Sequence, residues 1–327
     1  MIISDKQELK RCLKQAVRRS PIVDTRLLFD VQRDAYGIEA LIASGLERST
    51  AAMTHPSSGQ TRFGADAAAV YAALDALNLP VRDLRSATTM QQSYDKNAWI
   101  REVLDALRAN RVLCAVSSAN ADQTLFEDDR LAPMILAEPE MLKPGRYGVN
   151  YEAAAQRIEQ ALRDCNARDI LVNRFSEHEL AFCLMPVCED THAVLHVDLN
   201  NAEEIAEFSR LLDTFPGVRA VVSADDASME ELYSAAACRT RMLVQLRDPC
   251  MLPRALEKLG TRVLAYRSNA PLPEMMLGRW INAKETIWQM LLDAYLPLAR
   301  AGYVLEKEAI EQDVAMLMGG SLNALYI

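Results

Sequence analysis

Ala193-Val194-Leu195-His196-Val197-Asp198, Val218-Arg219-Ala220-Val221-Val222, Met242-Leu243-Val244-Gln245-Leu246 and Thr261-Arg262-Val263-Leu264-Ala265-Tyr266 follow one another at a regular spacing. Each run is short, aliphatic or β-branched, and nearly unbroken in apolar character, as a strand covered on both faces must be. Between them, 202–214, 228–238 and 250–259 read as helices of the length that returns a chain to a parallel neighbour. Upstream, Val112-Leu113-Cys114-Ala115-Val116, Pro133-Met134-Ile135-Leu136-Ala137 and Asp169-Ile170-Leu171-Val172-Asn173-Arg174 continue the alternation, and Ile22-Val23-Asp24-Thr25-Arg26-Leu27-Leu28-Phe29 opens it. Eight strand–helix units in 327 residues predict an α/β fold, a (β/α)8 TIM barrel. An open doubly wound sheet is the alternative. Against it, no Gly-rich phosphate loop follows any strand, and twelve glycines leave little room for one.

Outward from this frame, the first helix reads from a capping box at Ser4 and Gln7 to about Arg19, where Pro21 stops it. Helical stretches near 37–47, 65–78 and 96–110 form an insertion after strand 1, spanning 30–110. A C-terminal helical extension, 272–327, holds helices at 274–301 and 307–318 and is expected to cover the barrel. The chain therefore reads as one domain, 1–327. Trp280 and Trp288, eight apart on one helix, share a face with Met-rich neighbours and suggest a subunit contact in a homo-oligomer.

Composition narrows the function classes. Lys and Arg number 36 against 45 Asp and Glu, a formal charge of -9, which opposes binding to a phosphate backbone. No apolar run reaches the roughly 18 residues of a membrane span, and the N-terminus lacks the order of a signal peptide, so a cytoplasmic protein is expected. Seven scattered cysteines without a C-x-x-C pair read as reduced thiols rather than disulfides or a zinc site. No G-x-S-x-G elbow is present, and no cysteine has a histidine placed to activate it.

Several segments carry a family resemblance. Leu259-Gly260-Thr261-Arg262-Val263 is similar to the entry to the last strand of uronate isomerases of the amidohydrolase superfamily, and Arg267-Ser268-Asn269-Ala270-Pro271 stands where that family has His-Ser-Asp-Ala-Arg. The run 301–308, Ala-Gly-Tyr-Val-Leu-Glu-Lys-Glu, with Asp313 resembles the family's Gly-Trp-x-Leu-Thr-Glu-Glu segment. Ser20-Pro21-Ile22-Val23-Asp24-Thr25 is similar to the opening before the family's His-x-His, and Leu195-His196-Val197-Asp198 to its fifth-strand Leu-His-Ile-Gly. The match covers most of the chain thinly. It implies a divalent metal such as zinc, held by His-x-His on strand 1 and an Asp after strand 8. Here Arg26 and Leu28 occupy the histidine positions and Asn269 the aspartate position. Arginine offers no lone pair and leucine no ligand atom, so no metal cofactor is expected.

Barrel chemistry sits at the C-terminal ends of strands. Arg26, Arg174, Arg247, Arg267 and Asn269 fall at or just past such ends and would suit a small anion, a sugar acid above all, because guanidinium groups grip carboxylates with paired donors. The other reading has each Arg paired with a nearby acid, Arg247 near Asp248 for one. His196 and Asp198 alternate on one strand as a general base and its orienting carboxylate would, which leaves open an isomerase or hydrolase acting on a sugar acid. A relocated metal site of His196, Asp198 and Asp225 or Asp226 is a further alternative. The expectation is thus a diverged, metal-free uronate-isomerase-like protein that binds a sugar acid, with or without turnover.

Overall fold

The computed structural model describes residues 3, 5–28, 41, 65–80, 84–117, 127–137, 150–173 and 176–327. Eight strands run parallel in one sheet in chain order: β1 (Ile22–Leu27), β2 (Ala109–Ser117), β3 (Leu131–Leu136), β4 (Asp169–Val172), β5 (Val194–Leu199), β6 (Arg219–Ala224), β7 (Met242–Gln245) and β8 (Val263–Leu264). This is the strand order of a TIM-barrel-type fold. The closing ladder of a barrel is absent among the described residues. Past β8, Ala270 makes a single parallel bridge to Leu27, and its carbonyl accepts from the Leu28 N–H at 2.8 Å.

The helices are α1 (Lys6–Arg19), α2 (Ala65–Ala76), α3 (Leu84–Gln91), α4 (Lys96–Leu107), α5 (Tyr151–Asp164), α6 (Glu177–Glu179) and α7 (Met185–Thr191). They continue with α8 (Ala202–Thr214), α9 (Met229–Ala237), α10 (Leu252–Leu259), α11 (Pro273–Arg300), α12 (Lys307–Ala315) and α13 (Ser321–Asn323). Ser4 and all but Leu41 of the expected 37–47 helix lie outside the described residues. Among the described residues, no helix is long and apolar enough to cross a membrane.

The chain packs as two compact units. The first comprises Met1–Cys114, Glu127–Leu131 and Arg267–Ala315. Its first helix is capped by Asp5, whose carboxylate accepts from the Glu8 N–H at 2.8 Å, one residue later than the sequence predicts. Alanine-rich α2 lies against α11 so closely that a Cβ added at Gly278 would fall 1.8 Å from the Ala69 carbonyl oxygen, so only a hydrogen fits there. Trp280 and Trp288 face inward: Trp280 is sealed in the core, and Trp288 lies under the ammonium groups of Lys10 and Lys14, 5.6 and 5.0 Å from its ring centroid. The expected subunit anchor is thus an internal packing of α11 on α1.

The second unit comprises Ala115–Phe126, Ala132–Tyr266 and Met316–Ile327. Its strands pair in a register that sets Leu171 beside His196, Asp198 beside Ser223, Val221 beside Leu243 and Gln245 beside Leu264. Parallel partners share a face, so one face carries Ile170, Leu195, Val197, Ala220, Val222 and Val244, and the other carries Asp169, His196, Asp198, Arg219, Ser223 and Gln245. Residues 316–327 run past the N-terminal ends of these strands. The Ser321 hydroxyl donates to the Thr261 carbonyl (2.6 Å), and Arg219 Nη1 donates to the Leu325 carbonyl (2.7 Å). Arginines ahead of the strands satisfy the carbonyls that helix ends leave bare: Arg241 donates to the carbonyls of Leu212, Phe215 and Val218 at 2.9 to 3.1 Å.

Candidate functional site

In the first unit the sequence-predicted residues gather around a group that the sequence reading passed over. Asp24, on β1, is fully buried, and a carboxylate there must be saturated with donors to be tolerated. Its Oδ1 accepts from the Arg26 N–H at 2.8 Å, and its Oδ2 accepts from the Ser268 N–H at 3.1 Å and the Trp280 indole N–H at 2.5 Å. One side chain therefore holds the backbone of Arg26 and the backbone just after Arg267 within its own reach. Both arginines are buried, 6% and 8% exposed.

Asn269 follows in left-handed conformation (φ 47), which asparagine tolerates better than most residues. Its carbonyl and that of Ser268 each accept from Arg279 Nη1 at 3.0 Å, while Arg279 Nη2 lies 2.7 Å from Asp66 Oδ1. Asn269 is exposed, and Leu28 is 38% exposed.

These residues do not fit the metal implied by the family resemblance. Arg26 has no lone pair to give, Leu28 has no donor atom, and Asn269 alone offers one carbonyl oxygen. Among the described residues, no group of three or more His, Cys, Asp or Glu side chains has the geometry to hold a metal ion. The alternative ligand set of His196, Asp198 and Asp225 or Asp226 is therefore not assembled.

In the second unit His196, 4% exposed, turns toward the N-terminal end of the sheet. Its Nε2 lies 2.8 Å from Oδ1 of Asp169, the first residue of β4, and that same oxygen accepts from the Tyr326 hydroxyl at 2.5 Å. The carboxylate that orients the imidazole is thus Asp169, where the sequence reading had expected Asp198.

Asp198 lies two residues further along β5. Its Oδ1 accepts from the Ser223 hydroxyl at 2.5 Å and lies 3.7 Å from Arg247 Nη2. Arg247 Nη1 pairs with Asp225. Asp248 instead caps the next helical turn, accepting from the Cys250 N–H at 2.9 Å, and its carboxylate, with burial second, pushes the Cys250 thiol up. Arg247 is therefore largely neutralised by Asp225 and Asp198, and the expected pairing with Asp248 is corrected. Arg174 lies outside the described residues.

Sequence reasoning missed Asp24, Asp169, Ser223 and Tyr326. A charged residue inside an apolar run is a signal that Asp24 carried and that was read only as strand. Ser223 becomes visible only with the β5–β6 register, and Tyr326 only with the path of the tail.

No family model matches this sequence, and no curated protein matches it. Among solved structures it is similar to the crystal structure of a uronate isomerase from Bacillus halodurans C-125, with a TM-score of 0.81 and 17% sequence identity over 99% of this chain and 97% of that one. At that identity the likeness speaks for the architecture alone: the chain has a uronate-isomerase-like fold.

Proposed function

We propose that this chain binds a sugar acid on a uronate-isomerase-like (β/α)8 barrel, without a resident divalent metal and without aldose–ketose turnover by a metal route. The observation that carries the reading is the Asp24 clamp, which fixes the backbone at Arg26 and beside Arg267. Two buried guanidinium groups suit a carboxylate because each presents paired N–H donors in a rigid plane. His196 supports the absence of turnover: its imidazole is engaged with Asp169, which also accepts from the Tyr326 hydroxyl, at the N-terminal end of the strands, whereas TIM-barrel chemistry lies at the C-terminal end. All seven cysteines are free thiols, in keeping with a reducing cytoplasm.

The test is metal content by plasma mass spectrometry on untagged protein, paired with thermal-shift titration of glucuronate, galacturonate and gluconate with and without zinc or manganese. Metal-free protein stabilised by a uronate, with the stabilisation lost in Arg26→Ala, is the expected outcome. Near-stoichiometric metal, or isomerisation of glucuronate, overturns it.

A further inference from the structure

We propose that a cavity between the start of α1, the end of α11 and residues 303–305 binds a small amphipathic monocarboxylate, its apolar tail inward and its carboxylate between Lys6 and Arg300. The site belongs wholly to the first unit. It is independent of the sugar-acid reading, which rests on Arg26 and Arg267.

The first argument is shape. α11 ends at Arg300, and Gly302, in left-handed conformation (φ 81), turns the chain back. The Tyr303 N–H donates to the Leu298 carbonyl at 3.0 Å, and the Ile3 N–H donates to the Leu305 carbonyl at 2.9 Å. The returning segment is thus tied to α11 on one side and to the residues ahead of α1 on the other. A cavity of about 270 Å³ remains between them. That lies just under the roughly 300–1,000 Å³ of small-molecule pockets, room for a single short chain or ring and not for a two-chain lipid.

The second argument is the lining. The floor is apolar: Leu9 and Leu305 are 1% and 5% exposed, and Leu296 is half-buried. Tyr303 stands at the rim, 66% exposed, with Val304 next to it in the chain at 58%. Apolar surface in a concave site is costly to leave against water, and an alkyl or aryl tail would cover it.

The third argument is charge, and it selects the head group. The chain carries a formal charge of -9, yet α1 holds six Lys and Arg side chains against one Glu. Lys6 at its start and Arg300 at the end of α11 are exposed cavity residues, and neither forms an ion pair among the described residues. Asp5, the one acid of the lining, spends an oxygen on the Glu8 N–H at 2.8 Å. Met1, Ile2 and Ser4, which lie outside the described residues, bring no acidic side chain. Two cations beside one carboxylate leave about one positive charge, which a monoanion matches, and the Arg300 fork with the Lys6 ammonium can engage both carboxylate oxygens. No covalent step is involved.

The experiment is calorimetric titration of the full chain with octanoate, and in parallel with butyrate and inorganic phosphate. Saturable octanoate binding is expected, at least about thirtyfold tighter than butyrate, because each methylene taken out of water is worth about a factor of four. Octanoate affinity should fall at least about fivefold when Lys6→Gln and Arg300→Gln are combined, since the charge-assisted hydrogen bonds are lost. It should vanish in Ala299→Trp, which fills the cavity from an exposed position, and stay unchanged in Arg26→Ala. All three cavity positions are exposed, and circular dichroism confirms that each variant is folded. Absence of saturable octanoate binding, butyrate or phosphate binding as tightly, or equal octanoate affinity in Ala299→Trp overturns the site. Glucuronate binding that vanishes in Arg26→Ala, without octanoate binding, removes this proposal and leaves the sugar-acid reading standing.

Discussion

Replacing Lys284 with methionine should make the protein more stable. Lys284 lies on α11, buried against α1, and its ammonium donates one hydrogen bond, to the Ser20 carbonyl at 3.2 Å. Among the described residues no carboxylate pairs with it, and the charged group that acts on it is the Arg108 guanidinium. Burial first, and Arg108 second, push its pKa from 10.5 down to about 8.

That fall corresponds to about 3 kcal/mol of destabilisation whenever the amine is charged, at about 1.4 kcal/mol per factor of ten. The sign follows from linkage. Below pH 8 the amine is protonated both folded and unfolded, and the full penalty applies. Between pH 8 and pH 10.5 the unfolded chain holds more protons, so the penalty fades as pH rises. Methionine keeps the length of the side chain and removes the charge, while the Ser20 carbonyl loses a donor worth about 1 kcal/mol.

The net gain expected at pH 7 is about 2 kcal/mol, or about 3 °C in Tm for a chain of this size. Urea unfolding of both proteins at pH 7 and pH 10 reads it. The difference between them should shrink toward zero or reverse at pH 10. A variant less stable at pH 7, or a difference that does not change with pH, refutes the reasoning.

Gly278→Ala should cost at least about 3 kcal/mol and leave little folded protein in a denaturant titration, because the added methyl meets the Ala69 backbone, which cannot move aside as a flexible side chain would. Trp280→Phe removes one of the three donors to buried Asp24, so it should lower stability by about 2 kcal/mol and also weaken uronate binding in the thermal-shift assay, since the clamp beside Arg26 and Arg267 loosens. Tyr326→Phe leaves Asp169 short of a donor and should cost about 1–2 kcal/mol by urea unfolding, with sugar-acid affinity unchanged. A thiol reagent at pH 7.5 should label exposed Cys238 first and Cys250 more slowly, because Asp248 holds up the Cys250 thiol. Cys183, raised to about 11 by burial, and fully buried Cys188 should react only on unfolding, as peptide mapping would show.

The strands were legible because a strand covered on both faces leaves a nearly continuous apolar run, and the helix at 202–214 because Asn201 caps it, its side chain accepting from the Glu204 N–H at 2.9 Å. The last strand proved shorter than the run 261–266. Ala265 donates to the Leu317 carbonyl of the tail, and the Thr261 carbonyl accepts from Ser321, so tertiary partners take the bonds a longer ladder would use. The helix at 84–91, Leu-Arg-Ser-Ala-Thr-Thr-Met-Gln, is not legible in the sequence because two β-branched threonines and a serine blur its period.

At the site, residue types at strand ends were readable, but partners were not. The sequence alone points from His196 to the acid two residues away, whereas its carboxylate comes from the neighbouring strand, 27 positions earlier. Side chains that meet across a sheet are set by register, and register is invisible in a single strand.

The contact of α2 with α11 carries a consequence for biosynthesis. Ala69 and Gly278 have all of the second unit but its last segment, Met316–Ile327, between them in sequence, and the first unit is stitched from segments that leave the ribosome far apart in time. At roughly 5–20 residues per second, α2 waits on the order of tens of seconds for its mate. Meanwhile Ala67, Val70, Ala73 and Leu74, which the finished fold buries, stand uncovered on the nascent chain. The strands β4 to β7 need only neighbouring segments and can pair as they emerge. Translation thus makes the N-terminal helices an early client for a chaperone, although they are among the last parts of the molecule to find their place.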